Sequence, residues 1–124
     1  MASGEALEKP LTKPGFDYKG EVALIVGKRC RNVNVEQAPD HIAVFAPFND
    51  GSTRFYQVSS NQVTTGKNAY RSGGFGPWMA TADSIDMRVL EMITSVNEEP
   101  RQHIHIDYLI FSFAQLISHI SEVN

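Results

Sequence analysis

The chain has 124 residues, of which 42% are hydrophobic and 20% charged, with a formal net charge of −3. This length gives one domain with one core, the composition excludes wholesale disorder, and the acidic balance argues against non-specific nucleic-acid binding, which needs an excess of Lys and Arg. The single cysteine, Cys30, excludes an internal disulfide framework and a cysteine-cluster zinc site, and fits a reducing, cytoplasmic setting.

The longest apolar runs, Val22–Val26 and Tyr108–Phe111, have the length of strands and are too short to span a bilayer. Near the N-terminus, Glu8, Lys9 and Pro10 interrupt any hydrophobic signal core. Residues 1–14 read as an irregular arm, since Pro10 and Pro14 oppose regular structure. Phe16 to Gly27 reads as one strand, and its uniformly apolar second half predicts cover on both faces. Asn34 to Ile42 suits a short helix with Asn34 as N-cap, weakened by Pro39. Ile42 to Phe48 is β-like, and Asn49-Asp50-Gly51-Ser52 has turn chemistry.

Residues 59–77, rich in Ser, Asn, Thr and Gly, read as a long loop. Trp78 to Ala82 reads as a strand. Val89 to Val96 and Arg101 to Ile106 form a predicted hairpin around a turn at 97–100. Ser112 and Gln115 have capping-box spacing and open a helix to about Glu122. Its apolar face carries Phe113, Leu116, Ile117 and Ile120.

Glu21 and Asp50 are the first candidates for chemistry, because each lies where a strand meets a turn or an apolar run. A carboxylate there has a partner or a metal, or is satisfied by backbone N–H groups or a lysine. Lys19 and Glu21, two apart on a strand, share a face and suit an ion pair. Lys67, in Thr65-Gly66-Lys67-Asn68, is either a solvated lysine or a binder of carboxylate or phosphate. His103, His105 and Asp107 alternate along one strand, as zinc or iron ligands do, and as a polar hairpin edge does. Cys30 has no base beside it in sequence and reads as inert. His41 and His119 read as structural or exposed.

Taken in order, several segments resemble the fumarylacetoacetate hydrolase family. They are Phe16 to Lys28 (FDYKGEVALIVGK), Phe48 to Arg54 (FNDGSTR) with Gln57, Thr65-Gly66-Lys67-Asn68, and Gly74-Phe75-Gly76-Pro77-Trp78 with Thr81-Ala82-Asp83. Val96-Asn97-Glu98 with Arg101-Gln102 and Ile110-Phe111-Ser112 complete the series. The resemblance implies an α+β, mostly β fold: a rolled mixed sheet with a few short helices, often dimeric. It implies one domain over 15–124, incomplete relative to the family and preceded by the 1–14 arm.

Active members hold Mg²⁺ or Mn²⁺ with three carboxylates. They act on 2-oxo and β-diketo acids by C–C hydrolysis, decarboxylation or isomerisation, the metal stabilising an enolate. Carried over residue by residue, Glu21 and Asp50 match metal ligands, and Lys67 matches the lysine facing the metal. Arg54 and Gln57 match pocket-shaping positions. Gly74 and Phe75 lie in the loop matching a pocket wall.

The chain also departs from the pattern. Lys19 stands where the family has a glutamate ligand, and a protonated lysine repels a cation. Phe55 replaces a common acidic residue. The family's N-terminal segment with a His/Glu pair and its C-terminal Thr-Gly-Thr-Pro-type loop have no counterpart in this sequence. Three functions therefore stand: a metal-assisted enzyme on 2-oxo acids, a metal-free homologue using Lys19 and Lys67, and a non-catalytic binding or assembly subunit. A homodimer or a partner subunit is expected to cover exposed apolar surface, with no nucleic-acid or membrane partner.

Overall fold

The structure is a computed structural model that describes residues 1–11 and 15–123. The chain forms two compact units, Met1–Ala23 with Ala46–Met79, and Leu24–Phe45 with Ala80–Asn124. The fold is mostly β with a few short helices, as expected. Strands β1 (Phe16–Asp17), β2 (Gly20–Val26), β3 (Ile42–Asp50), β4 (Ser52–Thr53), β5 (Gly73–Phe75) and β6 (Ala80–Thr81) are followed by β7 (Glu91–Val96) and β8 (Glu99–His105). The helical segments are α1 (Arg54–Gln57), α2 (Thr64–Lys67) and α3 (Phe113–Ser121), with short 3₁₀ turns between elements. In the main sheet β2 neighbours β3, β3 neighbours β5, and β6 also pairs with β3.

In the first unit, β1 pairs antiparallel with β4, placing Phe16 opposite Thr53 and Asp17 opposite Ser52. The end of β3 pairs antiparallel with β5, placing Asn49 opposite Gly74 and Asp50 opposite Gly73. The N-terminal ammonium of Met1 donates to Gly73 O at 2.7 Å. Phe75 N–H donates to Met1 O at 2.9 Å, which fastens the chain start to β5. Gly51 joins β3 to β4 where no side chain fits: a Cβ there would lie 2.1 Å from Ser72 O.

In the second unit, Ala38, Ile42, Phe45 and Ile117 are buried. The Phe45 and Phe113 rings meet with centroids 5.5 Å apart. The capping box forms: Gln115 N–H donates to Ser112 Oγ at 3.2 Å, and Ser112 N–H donates to Gln115 Oε1 at 2.8 Å. It satisfies two N–H groups that the first helical turn would leave unpaired. The α3 end is tied back by Asn32 N–H to Ser121 O at 2.9 Å and Val33 N–H to Ser121 Oγ at 3.0 Å. The predicted hairpin is β7–β8, turned by Asn97 and Glu98 at φ of 52° and 68°. Two consecutive residues at positive φ match the right-handed twist of the strands they join.

Several expected elements change. The single strand over 16–27 breaks at Tyr18–Lys19, because β1 pairs with β4 while β2 pairs with β3. Ile25 and Val26 are exposed, so the cover expected on both faces is not seen at that end. The helix expected over 34–42 is one turn, with Asn34 Oδ1 accepting from Gln37 N–H at 2.8 Å, followed by a 3₁₀ turn at Ala38–His41. Pro39 lacks the N–H that would continue the ladder. The expected turn at 49–52 begins later, since Asn49 and Asp50 complete β3. The expected loop 59–77 contains α2 and β5, and the strand over 78–82 shrinks to β6. Pro14, used in reading the arm, lies outside the described residues. No helix among the described residues is long and apolar enough to cross a membrane.

Candidate active site

The first unit gathers Lys19, Glu21, Asp50 and Lys67 into one charged cluster. Backbone pairing puts Lys19 there. Its N–H donates to Asn49 Oδ1 at 3.1 Å, and its C=O accepts from Asp50 N–H at 2.9 Å. With both backbone groups held against the end of β3, the side chain at position 19 projects beside the Asp50 carboxylate. Glu21 follows at the start of β2, and the i,i+2 ion pair expected from spacing forms: Lys19 Nζ donates to Glu21 Oε1. Lys19 Nζ also lies 3.3 Å from Asp50 Oδ2.

Lys67 reaches the same carboxylate from α2. Thr53 Oγ1 donates to Gly66 O at 3.1 Å, and a Cβ on Gly66 would come within 2.6 Å of Gln57 Cα. Glycine at 66 thus lets α2 close on α1, and the following residue, Lys67, is delivered inward. Its ammonium donates to Asp50 Oδ2 and, at 2.9 Å, to Ser52 Oγ. Ser52 is fully buried and its O–H donates to Asp50 O at 2.8 Å. Asp50 Oδ2 is therefore shared by two ammonium groups.

The electrostatics of the two lysines differ. The hydrogen bond to Glu21 raises the Lys19 pKa above its usual value, against the effect of burial. Burial pushes the Lys67 ammonium down, and the neighbouring Lys19 ammonium pushes it down further. With all four groups ionised, two carboxylates balance two ammonium groups.

Arg54 and Gln57 come together with each other: Arg54 Nη1 donates to Gln57 Oε1 at 3.1 Å, and Arg54 Nε to Asp17 Oδ2 at 3.0 Å. Gly74 sits on β5 opposite Asn49, the residue that holds the Lys19 N–H, and Phe75 sits opposite Phe48. Ser52, Asn49, Thr53 and Gly66 were not singled out by sequence reasoning. The string Asn-Asp-Gly-Ser signals a turn, which conceals the roles of its hydroxyl and amide.

His103, His105 and Asp107 do not form a three-ligand site. His103 Nε2 pairs with Glu91 Oε2 at 3.1 Å, while His105 Nδ1 faces Asp107 Oδ2 at 3.2 Å. Among the described residues no three His, Cys, Asp or Glu side chains are grouped to hold an ion.

The cluster does not fit Mg²⁺ or Mn²⁺ as it stands. These ions take several hard oxygen ligands, commonly carboxylates. Here Glu21 and Asp50 are the two carboxylates, and the Lys19 ammonium bridges them. An ammonium about 4 Å from a dication repels it by roughly 8 kcal/mol at an effective dielectric near 20.

A family model described as fumarylacetoacetate (FAA) hydrolase C-terminal matches residues 1–124. The chain is 34% identical over 108 residues to a 2,4-didehydro-3-deoxy-L-rhamnonate hydrolase of a Sphingomonas species, covering 86% of this chain and 38% of that protein. Fumarylpyruvate hydrolase from Pseudomonas aeruginosa, solved with Mn²⁺ and pyruvate, aligns with a TM-score of 0.87 at 28% identity, over 99% of this chain and 55% of the other. A 2-hydroxyhepta-2,4-diene-1,7-dioate isomerase from Mycobacterium marinum aligns with a TM-score of 0.84 at 31% identity, over 91% and 44%. The chain thus spans about half the length, or less, of these relatives. With the model match running over the whole chain and the fold shared with these enzymes, this protein belongs to the fumarylacetoacetate hydrolase family.

Proposed function

We propose that this chain carries the reaction centre of a hydrolase, decarboxylase or isomerase acting on 2-oxo or β-diketo acids, with Lys67 moving the proton and Lys19 acting as a fixed positive charge. One observation carries this reading: both ammonium groups converge on Asp50 Oδ2. Similarity to hydrolases and an isomerase supports it. These reactions share an enolate, whose charge grows on oxygen. Ammonium donors already held in place by carboxylates are preorganised for that charge. A lysine whose pKa is lowered by burial and by a neighbouring ammonium gives up and retakes its proton more readily than a solvated one. Arg54 and Gln57, with Gly74 and Phe75 of β5, form the substrate side in this proposal.

A second reading keeps the metal, with Glu21 and Asp50 as ligands of Mg²⁺ or Mn²⁺. The Mn²⁺ in the Pseudomonas relative favours it. It requires the Lys19 ammonium to leave the two carboxylates.

The test is turnover of oxaloacetate and of an acylpyruvate, followed by loss of enol absorbance, in excess chelator and then with added Mn²⁺. The first reading predicts turnover in chelator, reduced at least about 100-fold by Lys67→Met. Turnover only with Mn²⁺ selects the second reading. No turnover in either condition overturns both and leaves a non-catalytic binding subunit. The proposal also includes a second copy or a partner subunit over exposed apolar side chains such as Ile110 and Phe111. A monomer mass in solution would remove that part.

A further inference from the structure

We propose that Lys19 is a tethered occupant of a latent divalent-cation site: its ammonium fills the space between the Glu21 and Asp50 carboxylates, and a single substitution there opens the site to Mn²⁺. This deepens the metal-independent reading above and rests on the geometry of the same cluster.

Three observations combine. Lys19 Nζ contacts Glu21 Oε1 and Asp50 Oδ2 together, so one positive centre already serves both carboxylates. The position of residue 19 is set by its backbone, through Asn49 Oδ1 and the Asp50 N–H. A different side chain at 19 is therefore delivered to the same place. Lys67 has a second acceptor in Ser52 Oγ at 2.9 Å, so Asp50 can lose part of its contact with Lys67 without leaving that ammonium unpaired. A carboxylate at 19 supplies a third hard oxygen donor group beside Glu21 and Asp50. It also changes the cluster charge from zero to −2, and both changes favour a dication.

The experiment is Mn²⁺ titration of the full 124-residue chain, read as the loss of the free-ion electron paramagnetic resonance signal. It is run on the native protein, Lys19→Glu, Lys19→Met, and Lys19→Glu combined with Asp50→Asn, each checked for native circular dichroism. Lys19→Glu is expected to bind one Mn²⁺ at least about tenfold more tightly than the native chain. Adding Asp50→Asn is expected to abolish that gain. Lys19→Met removes the ammonium without adding a ligand, and a smaller gain is expected. It carries the test alone if Lys19→Glu fails to fold. The proposal is overturned if the native chain binds one Mn²⁺ as tightly as Lys19→Glu. It is equally overturned if the folded variants gain nothing, or if the gain survives Asp50→Asn. Turnover plays no part in this readout, so failure of the enzymatic reading leaves the result interpretable.

Discussion

Among the described residues, the side chains that the first unit shields from water are those of Ser52, Thr53 and Ser72 with Ala46, beside the buried glycines Gly51 and Gly66, whereas the second shields Ala38, Ile42, Phe45 and Ile117, with Ser121 the polar one. The two interiors therefore constrain their surroundings differently. An apolar interior is non-directional and tolerates shape changes that conserve volume. A polar interior fixes direction, because each buried hydroxyl must keep its partner or lose about 1–3 kcal/mol. The hydroxyls of Ser52 and Thr53 are spent in this way: one receives Lys67, the other holds the turn that delivers it. The difference separates a unit built to stay folded from one built to aim charged side chains.

The largest expected effect lies in the apolar unit. Ile117→Ala empties part of that core and should cost about 3 kcal/mol in urea unfolding. A loss under about 1 kcal/mol would mean that α3 adds little to the core. In the polar unit, Asp50→Asn leaves two ammonium groups with one remaining carboxylate. A fully buried pair broken this way loses about 3–5 kcal/mol. Partial exposure of the three side chains reduces this to roughly 2 kcal/mol. An unchanged denaturation midpoint would show that the cluster does not stabilise the unit.

Ser112→Ala should cost about 1 kcal/mol through the lost cap, with the helical circular dichroism signal falling at its start rather than along its length. The smallest expected effect is on the pH dependence of stability. Because the folded state lowers the Lys67 pKa, the unfolded chain binds that proton more tightly, and stability rises with pH between the lowered value and 10.5. Lys19 has the opposite sign: its raised pKa gives a contribution present below 10.5 and lost as pH climbs through the folded value. The native protein minus Lys67→Met should therefore show the rise, and its absence would contradict the direction assigned to Lys67.

Local features were readable in the sequence because their signals are local. Ser112 and Gln115 cap α3 from three residues apart, and the β7–β8 turn lies within the predicted segment. The Lys19–Glu21 pair was likewise within reach of period-2 reasoning. The remainder of the cluster was not. Lys19 and Lys67 reach Asp50 across 31 and 17 residues, and no spacing rule spans such gaps. Family resemblance assigned roles to Glu21, Asp50 and Lys67; its matching segments include Asn49, Ser52 and Gly66 but gave them none, because their roles depend on pairing between distant segments. The break between β1 and β2 was hidden for the same reason: alternation along a strand does not reveal that two neighbouring stretches pair with different partners.

The most direct test of the central claim is a crystal structure grown with excess Mn²⁺ and examined for anomalous scattering. Tethered occupancy of the site places Lys19 Nζ between Glu21 and Asp50, with no anomalous peak beside them. A Mn²⁺ peak bonded to both carboxylates, with the Lys19 side chain turned away, would contradict it.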